Sequence, residues 1–218
     1  MSRVAIYTAI FGGYDQLIEQ PEIPGVDYVC FTDDPDMRSS QWDVRRARAR
    51  YPHPRMAAKW FKALPQKALP EYSTTIWIDG GTRLLTPDFA DVVLTALGDG
   101  VIALFRHPVR DTVRAEAEFC VPLPKYRDEP LMDQVQHYSD KGFADDRGLF
   151  AGGILGRNRH SQARKLGRLW LRENRRWSYQ DQLSLPYLFW KLDIEPAVIP
   201  HPLWGNGLFD FVEHASEL

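Results

Sequence analysis

Short apolar runs alternate along this chain with segments of helical periodicity. Runs rich in β-branched and aromatic residues predict buried strands, at residues 4–10, 27–32, 42–44, 76–79, 101–105, 149–155 and 197–199. Apolar residues spaced three and four apart predict helices, at residues 55–64, 87–97, 162–172 and 180–192. Residues 116–148 show no clear period, and we expect helical turns and loop there. The order as a whole favours an α/β sandwich with a mainly parallel sheet.

Two of the predicted helices are preceded by a capping signal. Thr86 is the expected N-cap of the helix over residues 87–97. Ser178 is the expected N-cap of the helix over residues 180–192 and would place Asp181 in its first turn, where the helix dipole favours an ionised carboxylate. Asp181 is therefore either a helix-terminal acid or a functional carboxylate.

Composition limits the classes of function. The 218 residues are 44% hydrophobic and 26% charged, which is typical of a globular chain, and we expect a single domain over residues 1–218. The net charge of −2 creates no field that would attract nucleic acid, and no apolar run reaches membrane-spanning length. Cys30 and Cys120 each lie alone in apolar surroundings, which indicates small buried hydrophobes. The N-terminus has no signal-peptide pattern, and we expect a cytoplasmic protein.

The segment most suggestive of chemistry is residues 75–81, TIWIDGG. It predicts a buried strand that ends in Asp79 and two glycines, which let other groups approach the backbone closely. Ligand crevices of open α/β sheets lie at such strand ends, and a carboxylate there can hold a divalent metal against a phosphate. The alternative is an ordinary turn that Asp79 caps, and these residues alone leave both interpretations open.

The helix predicted over residues 55–64 has an apolar face and a cationic face. The two faces are Ala57, Trp60, Phe61 and Leu64 on one side, and Arg55, Lys59, Lys62 and Gln66 on the other. The cationic face is either a solvated surface or a clamp for an anionic ligand such as a diphosphate, which Arg can chelate through two oxygens.

Seven short segments, in this order, resemble the TOD/MUCI-type glycosyltransferase-like family. The most specific are the first and the last, residues 7–15 (YTAIFGGYD) and 180–184 (QDQLS). The others are residues 30–33 (CFTD), 55–59 (RMAAK), 77–80 (WIDG), 105–108 (FRHP) and 152–153 (GG). The order is also similar to the broader glycogenin-like group of GT-A transferases. The resemblance implies a single GT-A-like, Rossmann-like domain with a mainly parallel mixed sheet and helices on both faces.

The resemblance also implies a reaction. It implies a nucleotide-diphosphate sugar donor, UDP-linked, and an unidentified sugar, glycan or small-molecule acceptor. It places the nucleotide and donor contacts at Thr8, Ala9, Phe11, Asp33, Arg55, Lys59, Gly152, Gly153 and Gln182. It makes Asp79 and Asp181 catalytic carboxylates. Asp79 would act by holding a metal, and Asp181 would act as a base or as an electrostatic stabiliser beside the sugar. A metal and fixed cations would stabilise the charge that grows on the leaving diphosphate.

A Mn²⁺ or Mg²⁺ cofactor is implied, with one departure from the pattern. Where the broader group has Asp-x-Asp, this chain has Asp79, Gly80 and Gly81, so the second acid is missing. Either another residue fills that position, or the diphosphate holds the metal, or the reaction needs no metal. The broader group completes its metal site with a histidine near the C-terminus. The candidates here are His201 and His214, and each is also typical of a surface histidine.

Two other classes of function stay open. Asp79, His107, His201 and His214 could form a metal site that hydrolyses an amide or ester with a metal-bound water, although no tight ligand pair such as HExxH is present. The missing second acid also suits a non-catalytic nucleotide-sugar-binding module. Asp33 and the glycine pair Gly152-Gly153 also have simpler structural interpretations. Asp33 is a good turn residue, and the two glycines could form a bulge.

Overall fold

The computed structural model describes residues 3–212. The strands in this part of the chain are β1 (Val4–Ile10), β2 (Val26–Thr32), β3 (Asp43–Arg46), β4 (Thr74–Ile78), β5 (Thr82–Leu84), β6 (Ile102–Arg106), β7 (Phe150–Asn158), β8 (Ala197–Val198) and β9 (Phe209–Phe211). The helices are α1 (Pro54–Ala63), α2 (Pro65–Ala68), α3 (Phe89–Leu97), α4 (Val113–Cys120), α5 (Leu131–Asp140), α6 (Ser161–Arg176) and α7 (Asp181–Leu192), with a 3₁₀ turn at Pro124–Tyr126.

Within residues 3–212, seven strands form the main sheet, in the order β3-β2-β1-β4-β7-β6-β8. Neighbouring strands are parallel except at β7, which runs antiparallel to both β4 and β6. Tyr7 of β1 pairs with Trp77 of β4, so the carboxyl ends of β1 and β4 lie side by side. This sheet confirms the predicted α/β fold, a mainly parallel mixed sheet as expected for a GT-A-like domain.

Helices cover both faces of the sheet. On one face Tyr7 and Ala9 pack in a core with α1, α6 and α7, and on the other face Ile6 packs in a core with α3. The alternation follows the two-residue period of a strand, whose side chains point to opposite faces in turn. Phe61 of α1 stacks on Phe31 of β2 with ring centres 4.4 Å apart, which holds α1 against the sheet.

A buried arginine ties the last turn of α1 to the strands. Arg157 of β7 is 3% exposed. Its guanidinium donates to the Tyr7 hydroxyl at 2.6 Å and to the backbone carbonyls of Lys62 and Ala63. Carbonyls at a helix end lack intrahelical donors, so Arg157 satisfies them and fixes the backbone at Lys62.

The helix α3 begins two residues later than the sequence predicts. Its N-cap is Asp88 rather than Thr86. The Thr86 hydroxyl instead accepts the backbone N–H of Asp88 at 3.3 Å. This local turn competes with capping for the same hydroxyl, so the predicted cap is wrong.

The helix α7 begins at Asp181 with Gln180 as its N-cap. The prediction of Ser178 as the cap is wrong, because its hydroxyl donates to Gln134 of α5 at 2.6 Å. The consequence drawn from it is correct, since Asp181 does lie in the first turn.

Two short strands were not predicted. β5 and β9 pair antiparallel, with Thr82 opposite Phe211, and each has only three residues. Three residues are too few for a recognisable alternation of apolar and polar positions. Residues 116–148, expected as helical turns and loop, contain most of α4 and all of α5, which pack against α7.

Both cysteines are free and buried, as predicted, and burial raises the pKa of each thiol to about 12.

Among the helices of residues 3–212, none has the length and apolar character needed to cross a bilayer.

Candidate functional site

A cavity of about 340 Å³ opens at the carboxyl ends of β1 and β4. Its lining comes from the loop after β1, from α1, from the turn after β4, from β7 and from the start of α7, with α4 on a further side. The charged groups in it include Arg55, Lys59, Lys62, Asp79 and Asp181. Open α/β sheets bind ligands in the crevice at the carboxyl ends of their strands, so the cavity lies where a ligand is expected.

Asp79 is held in place at the end of β4. Its backbone N–H donates to the carbonyl of Gly153 at 2.9 Å. Its Oδ1 accepts from the indole N–H of Trp77 at 2.7 Å and from the ammonium group of Lys62 at 3.1 Å. The side chain remains 44% exposed, so the carboxylate is both oriented and accessible from the cavity.

Asp181 is the buried partner of the lysines. Its side chain is 3% exposed. Oδ2 accepts from the ammonium groups of Lys59 and Lys62, the latter at 2.8 Å, while Oδ1 accepts from the side-chain amide of Asn174 at 3.3 Å. A single ammonium group, that of Lys62, therefore joins the acid of α7 to Asp79.

Burial and the ion pairs act in opposite directions on the pKa values. Burial raises the pKa of Asp181, but Lys59 and Lys62 more than offset this and leave it below its ordinary value. Burial lowers the pKa of Lys62, whereas Asp181 and Asp79 raise it, and the net effect is a raised pKa. For Lys59 burial dominates and lowers the pKa to about 8. At neutral pH the site therefore holds an ionised Asp181 between two cationic lysines.

Arg55 lies one helical turn before Lys59 and is held by aromatic side chains. Its guanidinium contacts the hydroxyl of Tyr14 and lies 4.9 Å from the centre of the Tyr14 ring. It also lies 5.6 Å from the centre of the Tyr179 ring. Because Arg55 lines the cavity together with Lys59 and Lys62, the cationic face of α1 is turned toward the cavity.

Two glycines of β7 allow the acids to approach the strand closely. A Cβ atom at Gly152 would lie 3.1 Å from Cβ of Asp181. A Cβ atom at Gly153 would lie 3.4 Å from Oδ2 of Asp79 and 3.5 Å from a ring carbon of Phe211. The register of β6 against β7 also shifts at these glycines, so the bulge expected from their sequence is present.

The structure brings most of the predicted site residues together, although they lie far apart in sequence. The predicted residues that line the cavity are Ala9, Phe11, Arg55, Lys59, Asp79, Gly152, Gly153, Asp181 and Gln182. Their roles in donor binding and catalysis stay predictions.

Thr8 and Asp33 do not line the cavity. Thr8 is 2% exposed and, by the alternation of the strand, points to the face opposite Ala9. Asp33 is exposed, and its carboxylate accepts the backbone N–H of Gly12 at 3.0 Å. Asp33 therefore braces the loop after β1, which is the structural role that its turn position also suggests.

The residues at the cavity do not fit a Mn²⁺ or Mg²⁺ site. Such ions need several oxygen ligands, yet Oδ1 of Asp79 accepts from two donors and Asp181 is paired with both lysines. His201 is exposed after β8 and does not line the cavity, and His214 lies outside the described residues. Residues 3–212 contain no group of three His, Cys, Asp or Glu side chains that could hold a metal ion. The predicted metal therefore rests on the resemblance alone.

Lys62 was placed on the cationic face of α1 from the sequence but was not among the residues predicted to bind the donor. It lies three residues after Lys59, and that spacing is the signal that could have added it to the site. Its burial depends on Asp181 and Asp79, which come from distant segments.

A second polar cluster lines another side of the cavity. Glu116 of α4 is 2% exposed and accepts from Arg110 at 2.5 Å and from the side-chain amide of Gln180 at 2.8 Å. His107 lies 3.6 Å from the same carboxylate, and burial lowers the pKa of this histidine. His107 was a candidate from the sequence, as a ligand of a hydrolase metal site, but no pattern joined it to Glu116, because the members of this cluster share neither a helix face nor a strand.

Comparison with known protein families gives a match over most of the chain. Residues 31–204 match the family described as TOD1/MUCI70, glycosyltransferase-like domain. The matched span includes α1, Asp79, the glycine pair and the start of α7. No curated protein matches the chain.

Solved structures similar to this chain include two that align over most of its length. The bifunctional glycosyltransferase WbbM, without ligand, has a TM-score of 0.47 and 14% sequence identity, over 86% of this chain and 37% of that protein. The CMP:2-keto-3-deoxy-manno-octonic acid synthetase complexed with CTP has a TM-score of 0.49 and 14% identity, over 90% of this chain and 89% of that protein. This chain therefore spans well under half the length of WbbM. Neither similarity is close enough to transfer a ligand or a reaction to this chain.

Proposed function

This chain belongs to the TOD1/MUCI70 glycosyltransferase-like family, and from that premise we propose that it transfers a sugar from a nucleotide-diphosphate sugar, a UDP-linked donor, to a hydroxyl group of an acceptor. The observation that carries the proposal is the charge arrangement of the cavity. Three cations of one helix, Arg55, Lys59 and Lys62, face two carboxylates, Asp79 and Asp181, at the carboxyl edge of a mainly parallel sheet.

The cations suit the leaving group of such a reaction. The bond between the anomeric carbon and the diphosphate oxygen breaks, and its electron pair stays with that oxygen. Fixed positive charge stabilises the growing negative charge without accepting or giving a proton. Arg55 can chelate two phosphate oxygens, whereas Lys59 acts as a point charge.

The acids suit the sugar side of the same reaction. The acceptor hydroxyl oxygen forms the new bond to the anomeric carbon, and its proton leaves to a base or to water. Asp181 is ionised, and its lowered pKa makes it a weak proton acceptor. The geometry therefore favours Asp181 as a stabiliser of positive charge at the anomeric carbon. The sugar would lie in the cavity beside Asp181 and Gly152, both of which line it.

A ligand screen tests this proposal. Nucleoside diphosphates and nucleotide sugars are added to the full chain, and the melting temperature is recorded. A ligand present at about one hundred times its dissociation constant stabilises a protein by about 2.7 kcal/mol, which such a screen detects. We expect UDP and a UDP-sugar to raise the melting temperature, and release of UDP to follow when acceptor sugars are added.

Variants make the screen specific to this cavity. Replacing Arg55 and Lys59 together by Gln should abolish the shift produced by UDP. Replacing Lys67 of α2 by Gln should leave that shift unchanged, because Lys67 is exposed and does not line the cavity. Hydrolysis of an amide or ester without any nucleotide donor would contradict the proposal, and so would binding of a nucleotide sugar without transfer to any acceptor.

A further inference from the structure

The ammonium group of Lys62 lies between the two acids of the cavity. Its Nζ is 3.1 Å from Oδ1 of Asp79 and 2.8 Å from Oδ2 of Asp181, and the Lys62 side chain is only 3% exposed. Lys59 contacts the same oxygen of Asp181. Asp79 and Asp181 therefore share the buried ammonium group of Lys62 as a counter-ion.

Lys62 is held more firmly than a surface lysine. Its backbone carbonyl accepts from the buried guanidinium of Arg157, and its ammonium group lies 5.5 Å from the centre of the Trp77 ring. Burial excludes the water that would otherwise screen the charge. A cation fixed in this way needs no reorganisation when negative charge develops beside it.

The ammonium group can also bind a further anion. A lysine has three N–H donors and no acceptor. In the part of the chain that the structure describes, the hydrogen bonds of the Lys62 ammonium go to Asp79 and Asp181. The third N–H is therefore suited to an oxygen of a ligand, and Lys62 lines the cavity.

On the basis of the function proposed above, we propose that Lys62, together with Lys59, supplies to the donor diphosphate the fixed positive charge that a Mn²⁺ or Mg²⁺ ion would otherwise supply. The site then binds a nucleoside diphosphate without a divalent metal. When the bond between the anomeric carbon and the phosphate oxygen breaks, the electron pair stays on that oxygen, and Lys62 stabilises it while keeping its own proton. Gly81, in place of a second acid, is consistent with this, because a cation attached to the chain needs fewer carboxylate ligands than a free ion.

Calorimetric titration of UDP into the full chain tests the inference. One titration contains EDTA, and the other contains Mn²⁺. We expect the two dissociation constants to agree within about twofold. This comparison uses the unmodified protein, so it does not depend on whether a variant folds.

A variant tests the lysine itself. Lys62→Met keeps an unbranched side chain of similar length but removes the charge. Its affinity for UDP in EDTA should fall at least about tenfold, the scale of a lost charge-assisted contact, while its affinity for uridine should not change. Lys67→Met on α2 is the matched control and should bind UDP like the unmodified chain.

The possible outcomes separate this inference from the proposed function. Binding of UDP that appears only with Mn²⁺ or Mg²⁺ would overturn the inference and leave the glycosyltransferase proposal standing. A folded Lys62→Met variant that binds UDP in EDTA as tightly as the unmodified chain would also overturn it. If UDP and the other nucleoside diphosphates fail to bind under both conditions, the proposed function falls and the inference falls with it.

Discussion

The indole N–H of Trp77 donates to Oδ1 of Asp79 at 2.7 Å, between two residues that lie two positions apart along the chain. Side chains at this spacing on an extended strand point to the same face, which here is the face covered by α1. Trp77 is 2% exposed, and its ring packs edge-on against Tyr7. A buried aromatic side chain of the sheet core therefore sets the orientation of a carboxylate in the cavity.

This relationship predicts that Trp77→Phe slows transfer while the fold is kept. Phenylalanine keeps a buried ring but removes the donor to Asp79. A hydrogen bond to a charged group contributes about 1.5–3 kcal/mol, so we expect the rate of sugar transfer to fall by about tenfold or more. The measurement is UDP release from the donor in the presence of acceptor.

The matched control for this variant is Trp170→Phe. Trp170 is also fully buried, and its indole N–H has no hydrogen-bond partner within residues 3–212. Both variants lose a similar volume from the core, so both should lower the melting temperature by a similar amount. Equal losses of transfer rate in the two variants would show that Trp77 acts only through packing.

A second prediction concerns the diphosphate. Replacing Arg55 or Lys59 by Gln should weaken binding of UDP at least about tenfold, the scale of a lost charge-assisted hydrogen bond. Binding of uridine should change little, because the nucleoside lacks the phosphates that these cations contact. Calorimetry with both ligands makes the comparison. If uridine and UDP lose affinity equally, the substitution has disturbed the cavity rather than an ionic contact.

The sequence predicted the central strands well and the peripheral ones poorly. The bounds predicted for β1, residues 4–10, agree with the structure, because a strand buried on both faces is a nearly continuous apolar run. β5 and β9 were not predicted, since each has three residues and is specified by its partner. The order of the strands across the sheet is likewise a long-range property that no local pattern contains.

The site was predictable in its residue types but not in its contacts. The cationic face of α1 and the acid after β4 were visible in the sequence, and the cavity joins them. The helix pattern could not show whether Lys62 is solvated or is buried against Asp181, because Asp181 comes from a segment more than one hundred residues later. Thr8 was predicted to line the pocket and does not, for a local reason. Successive side chains of a strand point to opposite faces, and Thr8 lies one position before Ala9, which does line the cavity.

A third prediction concerns Asp181. Asp181→Asn removes the common partner of Lys59 and the buried Lys62, and breaking a buried ion pair by removing one partner costs about 3–5 kcal/mol. It also removes the negative charge beside the sugar, so kcat should fall at least about a hundredfold, with a smaller change in KM. Asp133→Asn is the control, because Asp133 is an exposed acid in the first turn of α5. If the two variants behaved alike, Asp181 would be only a helix-terminal acid.

The lowered pKa of Asp181 gives this third prediction a pH dependence. The folded state binds the proton of this carboxyl less tightly than the unfolded state, so its ionisation stabilises the protein above the ordinary pKa of 3.8. That contribution is lost as the pH falls through the lower pKa of the folded state. The free energy of unfolding, measured in urea, should therefore differ most between the unmodified chain and Asp181→Asn at neutral pH. A difference that stays constant down to the most acidic pH at which both fold would contradict the assignment.

A fourth prediction follows from the pKa of Lys59, which burial lowers to about 8. Lys59 is cationic below this pH and neutral above it, so the affinity for UDP should fall as the pH rises through about 8. Lys59→Arg should remove the dependence because Arg stays charged, and Lys59→Gln should bind weakly at every pH. Affinity of the unmodified chain that is flat across this range would contradict the prediction.

The lowered pKa of Lys59 also predicts that the stability of the protein changes with pH, in the direction opposite to the change in UDP affinity. Between about pH 8 and the ordinary value of 10.5, the unfolded chain binds a proton at Lys59 that the folded chain has released. Stability rises with pH wherever the unfolded state binds more protons. The free energy of unfolding should therefore increase across this window as UDP affinity decreases. In Lys59→Gln this contribution to the increase should be absent.

The last prediction concerns the close approach of Asp181 to Gly152. In Gly152→Ala the new methyl group would lie 3.1 Å from Cβ and 3.2 Å from Oδ2 of Asp181, so the carboxylate must move by a few tenths of an ångström. On the proposed function UDP binds against the cationic face of α1, so its affinity should change by less than about twofold. A displacement of about 1 Å at a reacting group can slow a reaction by about a hundredfold, so transfer should slow at least about tenfold. Gly153→Ala makes the matched comparison, because its methyl group would meet Asp79 and Phe211 at the ordinary contact distances of 3.4 and 3.5 Å. The loss of kcat should therefore be larger in Gly152→Ala than in Gly153→Ala, and the reverse order would show that the sugar lies against Asp79 rather than Asp181.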